Sequence, residues 1–134
     1  MTTSLFLRIV AVILALFGVI YLVSPVTLAT QAGISANKSG LTDIRATYGG
    51  FQIGFALFLF WSSMSPARYT SALAATALIF FSVGAARFFG VVVDGELSGF
   101  NLIGLSFEIV LTSICVWLFV KSLNTSSQVV KARR

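Results

Sequence analysis

The chain has 134 residues, of which 57% are hydrophobic and only 10% are charged, with a formal net charge of +5. Soluble domains average about 45–50% apolar and about 25% charged residues, so this composition predicts an integral membrane protein and excludes an ordinary soluble domain. His is absent and Cys115 is the single cysteine, which argues against an intrachain disulfide, a zinc site or a histidine-ligated haem. We therefore expect no metal and no cofactor.

Apolar runs separated by short polar breaks follow one another along the chain, at 5–23, 41–64, 69–93 and 100–123. Each run is close to or above the ~20 residues with which an α-helix crosses ~30 Å of hydrocarbon. The sequence thus predicts an all-α fold, an integral membrane four-helix bundle that forms a single domain over 1–134. We expect the first run to be a retained helix, because it exceeds the ~7–15 apolar residues of a secretory signal.

The first connection begins with Ser24 and Pro25, an N-cap residue followed by one favoured at the first helical position. This pair predicts a short interfacial helix that continues to about Ala32. Gly33 and the polar residues after it then end the helix before the second apolar run. The connection is either a simple link between two helices or a lid over the outer face.

Basic residues near the helix ends predict the orientation, since Lys and Arg remain on the cytoplasmic side. Arg68 lies in the second connection, and Lys121 precedes a basic tail over 124–134. Both termini should therefore be cytoplasmic. Attraction of the tail to anionic lipid accounts for its charge, so we expect membrane lipids as partners and no nucleic acid.

Arg45, Arg87 and Glu108 lie well inside the apolar runs, where an isolated charge is costly and indicates a functional site. At ~1.5 Å per residue, Arg45, Arg87 and Glu108 each lie ~6–12 Å below the outer surface. Asp43 lies near the top of the same layer. Pairing of Arg87 with Glu108, and of Arg45 with Asp43 or Glu108, would avoid the cost of burying these charges singly.

Helical spacing assigns further residues to this layer. Arg45, Tyr48 and Gln52 recur at i, i+3 and i+7 and predict one polar stripe on the second helix. The fourth helix carries a second polar stripe, formed by Asn101, Gly104, Glu108, Thr112 and Cys115. Lipid cannot satisfy these groups, so we expect the stripes to face the bundle interior.

Small residues recur every four positions on the second helix, at Ala46, Gly50 and Gly54. Such a ridge lets the backbone of a neighbouring helix approach closely. The ridge predicts helix packing, either inside the bundle or between subunits. The partners we expect besides lipids are therefore another membrane protein or a second copy of the chain.

The segment Arg45-Ala46-Thr47-Tyr48-Gly49-Gly50, the segment Arg87-Phe88-Phe89-Gly90 and the lone Glu108 carry a family resemblance. The chain resembles, over nearly its whole length, the bacterial four-helix membrane family catalogued as domain of unknown function 4345. The Arg-x-x-Tyr-Gly-Gly element is the most specific part of the similarity. The resemblance implies the fold and a location in the bacterial inner membrane, but no reaction.

Three functions fit these residues. The first is a structural, assembly or accessory-subunit role, in which the buried Arg/Glu layer fixes helix register. The second is binding of a lipid head group or other small anion by Arg45 and Arg87, with Tyr48 and Gln52 adding neutral hydrogen bonds. The third uses Glu108 as a proton-carrying group in a transporter, channel or membrane enzyme. Without His or a second acid facing Glu108, the residues argue against an enzyme, and we predict no catalytic residue.

Overall fold

The computed structural model describes the backbone of residues 2–132 and the side chains of residues 2–124. The described chain is helical and contains no strand, as the all-α prediction requires. It divides into two compact units, Met1–Pro66 and Ala67–Arg134, called unit 1 and unit 2 below. The side chains of the predicted basic tail lie outside the described residues from position 125 onwards. The single domain over 1–134 stays a prediction.

Unit 1 consists of two long helical segments and a short helix between them. Its elements are α1 (Thr3–Val23), α2 (Pro25–Gln31), α3 (Lys38–Ile44), a π-helical turn (Arg45–Gly50) and α4 (Phe51–Ser62). The interfacial helix predicted after Ser24 is confirmed as α2. The segment that links α2 to α3 contains Gly33, whose φ of 74° is accessible mainly to glycine.

Helix α1 begins where the Thr2 side chain accepts a hydrogen bond from the Leu5 N–H, which satisfies one of the free N–H groups of a helix start. One stripe of the helix is buried. Its members are Phe6, Leu7, Val10, Ala11, Leu14 and Gly18. The opposite face is apolar and exposed, with Val12 and Leu16 at 56% and 60% exposure, as expected for a helix that faces lipid rather than water.

Two glycines allow the backbones of α1 and the π-helical turn to touch. A Cβ placed on Gly18 would lie 2.8 Å from Ile53 Cγ1 and 3.0 Å from the Gly49 carbonyl oxygen. A Cβ on Gly49 would lie 3.1 Å from the Leu22 N atom. These separations are tighter than ordinary Cβ contacts, so this pair of glycines makes a close backbone approach in unit 1.

The π-helical turn changes the second predicted helix. Helical backbone runs from Lys38 to Ser62, close to the predicted 41–64, but Arg45–Gly50 adopts the wider i→i+5 pattern. The i, i+3, i+7 spacing of the predicted polar stripe assumed a regular α-helix. The wider turn changes the angles between successive side chains in this segment.

Unit 2 is a pair of long helices that pack against each other along their length. A 3-10 turn (Pro66–Arg68) leads into α5 (Tyr69–Asp94), and α6 (Gly99–Ala132) follows. Helix α5 ends at Asp94 and is capped by Gly95. The φ of Gly95, 68°, lies in the left-handed region, and its N–H donates to the Val91 carbonyl. The core between the helices is made by Ala72, Leu73, Thr76, Phe80, Gly84, Glu108, Leu111, Cys115 and Leu118.

Three helical segments are long and apolar enough to cross a membrane: Thr3–Val23, Pro66–Asp94 and Gly99–Asn124. They correspond to the first, third and fourth predicted runs. The second predicted run overlaps α3 and α4, which have only 7 and 12 residues and lie on either side of the π-helical turn. The described chain thus has the features of a membrane protein, with three candidate spans by length and composition.

Candidate functional site

The predicted pair of Arg87 and Glu108 is present in unit 2. Arg87 Nη2 lies 2.8 Å from Glu108 Oε1, and Nε donates to both carboxylate oxygens at 3.0 and 3.1 Å. Arg87 Nη1 donates to Asn101 Oδ1 at 3.0 Å. The guanidinium therefore joins α5 to two positions on α6, and all three of its nitrogens donate.

Burial makes this pair structurally significant. The Glu108 side chain is 5% exposed and the Arg87 side chain 24% exposed. A buried carboxylate is stable only when a counter-charge and hydrogen bonds replace the water it has lost. Asn101 supplies a neutral acceptor for the remaining side of the guanidinium. This is the only ion pair among the described side chains.

Two glycines make room for the pair. A Cβ placed on Gly104 would lie 2.9 Å from Arg87 Cζ, so the guanidinium lies directly against the α6 backbone. A Cβ on Gly84 would lie 3.3 Å from Glu108 Cβ and 3.4 Å from Glu108 Oε2. Each charged side chain thus packs on a glycine of the facing helix, which brings the two helices close enough for the bidentate contact.

A groove along α5 and α6 borders the ion pair and has a volume of about 570 Å³. We call it the α5/α6 groove. Its lining is largely aromatic and aliphatic, with three polar members on α6. The lining residues are Phe80, Phe81, Gly84, Ala85, Phe88, Leu105, Glu108, Ile109, Thr112 and Ser113.

Arg45 in unit 1 has a different environment. Its Nε donates to the Leu22 carbonyl at 3.1 Å, one of the last carbonyls of α1, where a cation is favourable. Its Nη1 and Nη2 atoms make no hydrogen bond within the described part of the chain. Asp43 is exposed and forms no ion pair with Arg45. The predicted Asp43–Arg45 pair is therefore wrong, because the Arg45 side chain extends to the end of α1 instead.

The other predicted site residues of unit 1, Tyr48 and Gln52, differ in burial. Tyr48 is 42% exposed, and its ring packs against Tyr21 at a centroid distance of 5.2 Å. Gln52 is half-buried, and its Oε1 has no hydrogen-bond partner within the described residues. Arg45 and Tyr48 both contact α1, and a common inward-facing stripe with Gln52 stays a prediction. A pairing of Arg45 with Glu108 would join the two units and stays a prediction.

The predicted packing ridge is exposed at all three of its positions, Ala46, Gly50 and Gly54. A Cβ on Gly54 would meet nothing within 4 Å. Close packing inside unit 1 uses Gly18 and Gly49 instead, because the π-helical turn presents Gly49 to α1. Contact of the ridge with another subunit stays a prediction.

Sequence reasoning missed two features of these sites. Asn101 was placed on the polar stripe of the last helix but was not assigned to the charged layer, although its spacing of seven residues from Glu108 was a usable signal. The Leu22 carbonyl is a backbone group and leaves no signal in the side-chain pattern. No cluster of three or more His, Cys, Asp or Glu residues that would suit a metal occurs in the described residues.

Comparison with known proteins identifies the family. A family model described as Domain of unknown function (DUF4345) matches residues 2–119. This range includes Arg45, Arg87 and Glu108. No curated protein and no solved structure matched. Because the matched range covers most of the chain, the protein belongs to the DUF4345 family.

Proposed function

We propose that the protein is a small polytopic membrane protein with a non-catalytic assembly or accessory-subunit role. The single observation that carries this proposal is the closed contact between Arg87, Glu108 and Asn101. Each charge has its counter-charge inside unit 2, and all three guanidinium nitrogens are engaged. Such an arrangement fixes the register of two helices and suits a rigid module better than a proton carrier.

The membrane arrangement is part of the proposal. The helical segment from Lys38 to Ser62 serves as a fourth span, since its 25 residues would extend ~37 Å at ~1.5 Å per residue. Both termini are cytoplasmic, and the host membrane is the bacterial inner membrane. The Lys121 ammonium lies 5.4 Å from the centre of the Trp117 ring, a combination that is typical of a helix end at the membrane surface.

Cysteine labelling tests the orientation. Single cysteines at Ser39 and Ser126, in a Cys115→Ala background, are treated in intact cells with a membrane-impermeant maleimide. We expect position 39 to react in intact cells and position 126 to react only after lysis. The opposite pattern would reverse the orientation.

Proton flux distinguishes the structural role from transport. The full chain is reconstituted in liposomes that contain a pH-sensitive dye, and a pH gradient is imposed. We expect wild-type vesicles to dissipate the gradient no faster than protein-free vesicles. In the Arg87→Gln/Glu108→Gln double variant neither charge is left without its partner. If wild-type vesicles dissipated the gradient faster than protein-free vesicles and this variant did not, the result would favour proton transport over the structural role.

A second function is favoured by the open donors of Arg45. Arg45 donates its Nε hydrogen to the Leu22 carbonyl in an exposed hydrogen bond, which leaves the Nη1 and Nη2 hydrogens for a ligand. A phosphate or carboxylate oxygen suits such a fork. We propose that an anionic lipid head group binds here. Lys38, an exposed basic residue outside this contact, provides a matched control.

Native mass spectrometry tests the lipid site. The protein is released from nanodiscs of mixed phosphatidylglycerol and phosphatidylcholine, and the bound lipids are identified. We expect phosphatidylglycerol adducts on the wild type and on Lys38→Gln, and a clear loss of these adducts in Arg45→Gln. Equal adducts on wild type and Arg45→Gln would reject the site.

A further inference from the structure

Two side chains of the π-helical turn contact the end of helix α1 at consecutive residues. Arg45 Nε donates to the Leu22 carbonyl at 3.1 Å, and the Tyr48 ring packs on the Tyr21 ring at a centroid distance of 5.2 Å. The Cα atoms of consecutive residues are ~3.8 Å apart. Arg45 and Tyr48 therefore contact the last turn of α1 beside each other, within unit 1 alone.

Tyr48 offers a hydroxyl group to a ligand. The residue is 42% exposed, and its hydroxyl makes no hydrogen bond within the described part of the chain. A phenol hydroxyl can both donate and accept. Because the ring already packs on Tyr21, a hydrogen bond from this hydroxyl costs little further side-chain entropy. Tyrosines with an apolar ring and a hydrated hydroxyl are typical of the membrane surface.

Arg45 supplies one positive charge at the same place. It is the only charged residue of the π-helical turn, and its hydrogen bond to Leu22 is exposed. The Nη1 and Nη2 groups point two parallel donors at a ligand, the geometry that suits phosphate oxygens. A single guanidinium is neutralised by a single negative charge. A phosphodiester, which carries one such charge, is therefore the matching anion.

Charge and hydrogen bonding together restrict the lipid head group. A choline or ethanolamine head group would bring a second cation close to the Arg45 guanidinium. A phosphodiester with a plain alkyl group has the right charge but leaves the Tyr48 hydroxyl without a partner. A head group with one phosphodiester and a neutral hydroxyl satisfies both side chains, since its hydroxyl can donate to the phenol or accept from it.

We propose that the site at Arg45 selects phosphatidylglycerol among anionic lipids, and that Tyr48 is the residue that determines this preference. The phosphodiester accepts from Nη1 and Nη2 of Arg45, and a glycerol hydroxyl of the head group bonds the Tyr48 hydroxyl. This inference rests on the anionic-lipid site proposed above and adds to it the recognition of the head group.

The experiment compares two lipids of equal charge. The full chain is placed in phosphatidylcholine nanodiscs that contain equal amounts of phosphatidylglycerol and phosphatidylethanol with the same acyl chains, and adducts are counted by native mass spectrometry. Both lipids are phosphodiesters, but only phosphatidylglycerol has hydroxyls in its head group. We expect the wild type to favour phosphatidylglycerol about fivefold, the effect of one neutral hydrogen bond. Equal adducts of the two lipids would overturn the preference.

A matched pair of variants tests the role of Tyr48. Tyr48→Phe keeps the ring that packs on Tyr21 and removes only the hydroxyl. We expect this variant to bind the two lipids equally, because neither then has a partner for a head-group hydroxyl. Tyr69→Phe makes the same change in unit 2 and should retain the fivefold preference. A wild-type preference in Tyr48→Phe would overturn the assignment of Tyr48.

Arg45→Gln in the same nanodiscs separates this inference from the anion site on which it rests. We expect the variant to lose the adducts of both lipids, because both bind through the phosphodiester. If Arg45→Gln lost both adducts while the wild type showed no preference between them, the anion site would stand and the selection of phosphatidylglycerol would be overturned. Undiminished adducts of both lipids on Arg45→Gln would overturn the anion site itself.

Discussion

Arg45 in unit 1 and Arg87 in unit 2 both lie within apolar stretches of the sequence, yet their hydrogen-bond partners in the structure differ. Arg87 donates from all three nitrogens to Glu108 and Asn101. Arg45 donates from Nε alone, to a backbone carbonyl. The difference shows two ways in which this chain accommodates an arginine within an apolar run. Its charge is paired with an acid on the facing helix, as for Arg87. Alternatively, its side chain extends to a helix end and leaves some guanidinium N–H groups without a protein acceptor, as for Arg45.

The two units also achieve close packing differently. Unit 1 brings backbones together at Gly18 and Gly49 without any charge. Unit 2 brings its helices together around an ion pair, with Gly84 and Gly104 beneath the charged groups. Stability should therefore depend on van der Waals fit in unit 1 and on charge compensation in unit 2.

The largest expected effect comes from stranding one charge of the pair. Arg87→Gln or Glu108→Gln leaves a buried partner without its counter-charge and should lower the free energy of unfolding by about 3–5 kcal/mol. Thermal unfolding in detergent measures this loss. The double variant should lose less than the sum of the single variants, and Glu96→Gln, at an exposed acid of the same unit, serves as the control. Strictly additive losses would contradict the direct contact.

The packing of unit 1 is tested by adding one methyl group. Gly18→Ala places a Cβ against the Gly49 carbonyl and should cost about 1–3 kcal/mol through overpacking. Gly54→Ala is the matched control, because open space surrounds that position and alanine is the better helix former by about 1 kcal/mol. Opposite signs are expected in the same unfolding assay. Equal effects would mean that Gly18 does not make a close contact.

Asn101 tests whether the cluster in unit 2 has a third member. Asn101→Ala removes the acceptor of Arg87 Nη1 and should cost about 1.5–3 kcal/mol, as for hydrogen bonds to charged groups. In an Arg87→Gln/Glu108→Gln background the same substitution should have little effect. An equal loss in both backgrounds would assign Asn101 a role that is independent of the guanidinium.

The smallest effect on stability is expected at Arg45. Arg45→Gln removes one hydrogen bond to the end of α1 and should cost about 0.5–1.5 kcal/mol. Its main consequence should be loss of bound anionic lipid, measured by native mass spectrometry. A stability loss as large as that of Arg87→Gln would show that Arg45 is fully paired, and would remove the contrast between the two arginines.

Much of the fold was predictable because helix length and polarity are local properties. The runs at 5–23, 69–93 and 100–123 correspond to α1, α5 and the first part of α6. Pairing of Arg87 with Glu108 was predictable too, since few groups in an apolar run can neutralise either charge. The π-helical turn was not predictable, because the spacing argument assumed regular α-helical geometry across Arg45–Gly50.

The sequence by itself determined that the chain is helical, apolar enough for a membrane and a carrier of buried charge, because composition and periodicity dictate these properties. Only the tertiary structure decided which groups meet. The bond from Arg45 to the Leu22 carbonyl, the contact of Gly18 with Gly49 and the packing of Glu108 on Gly84 depend on the packing of one helix against another. Such contacts join residues that are distant along the chain, and backbone carbonyls and open grooves leave no trace in a pattern of side chains.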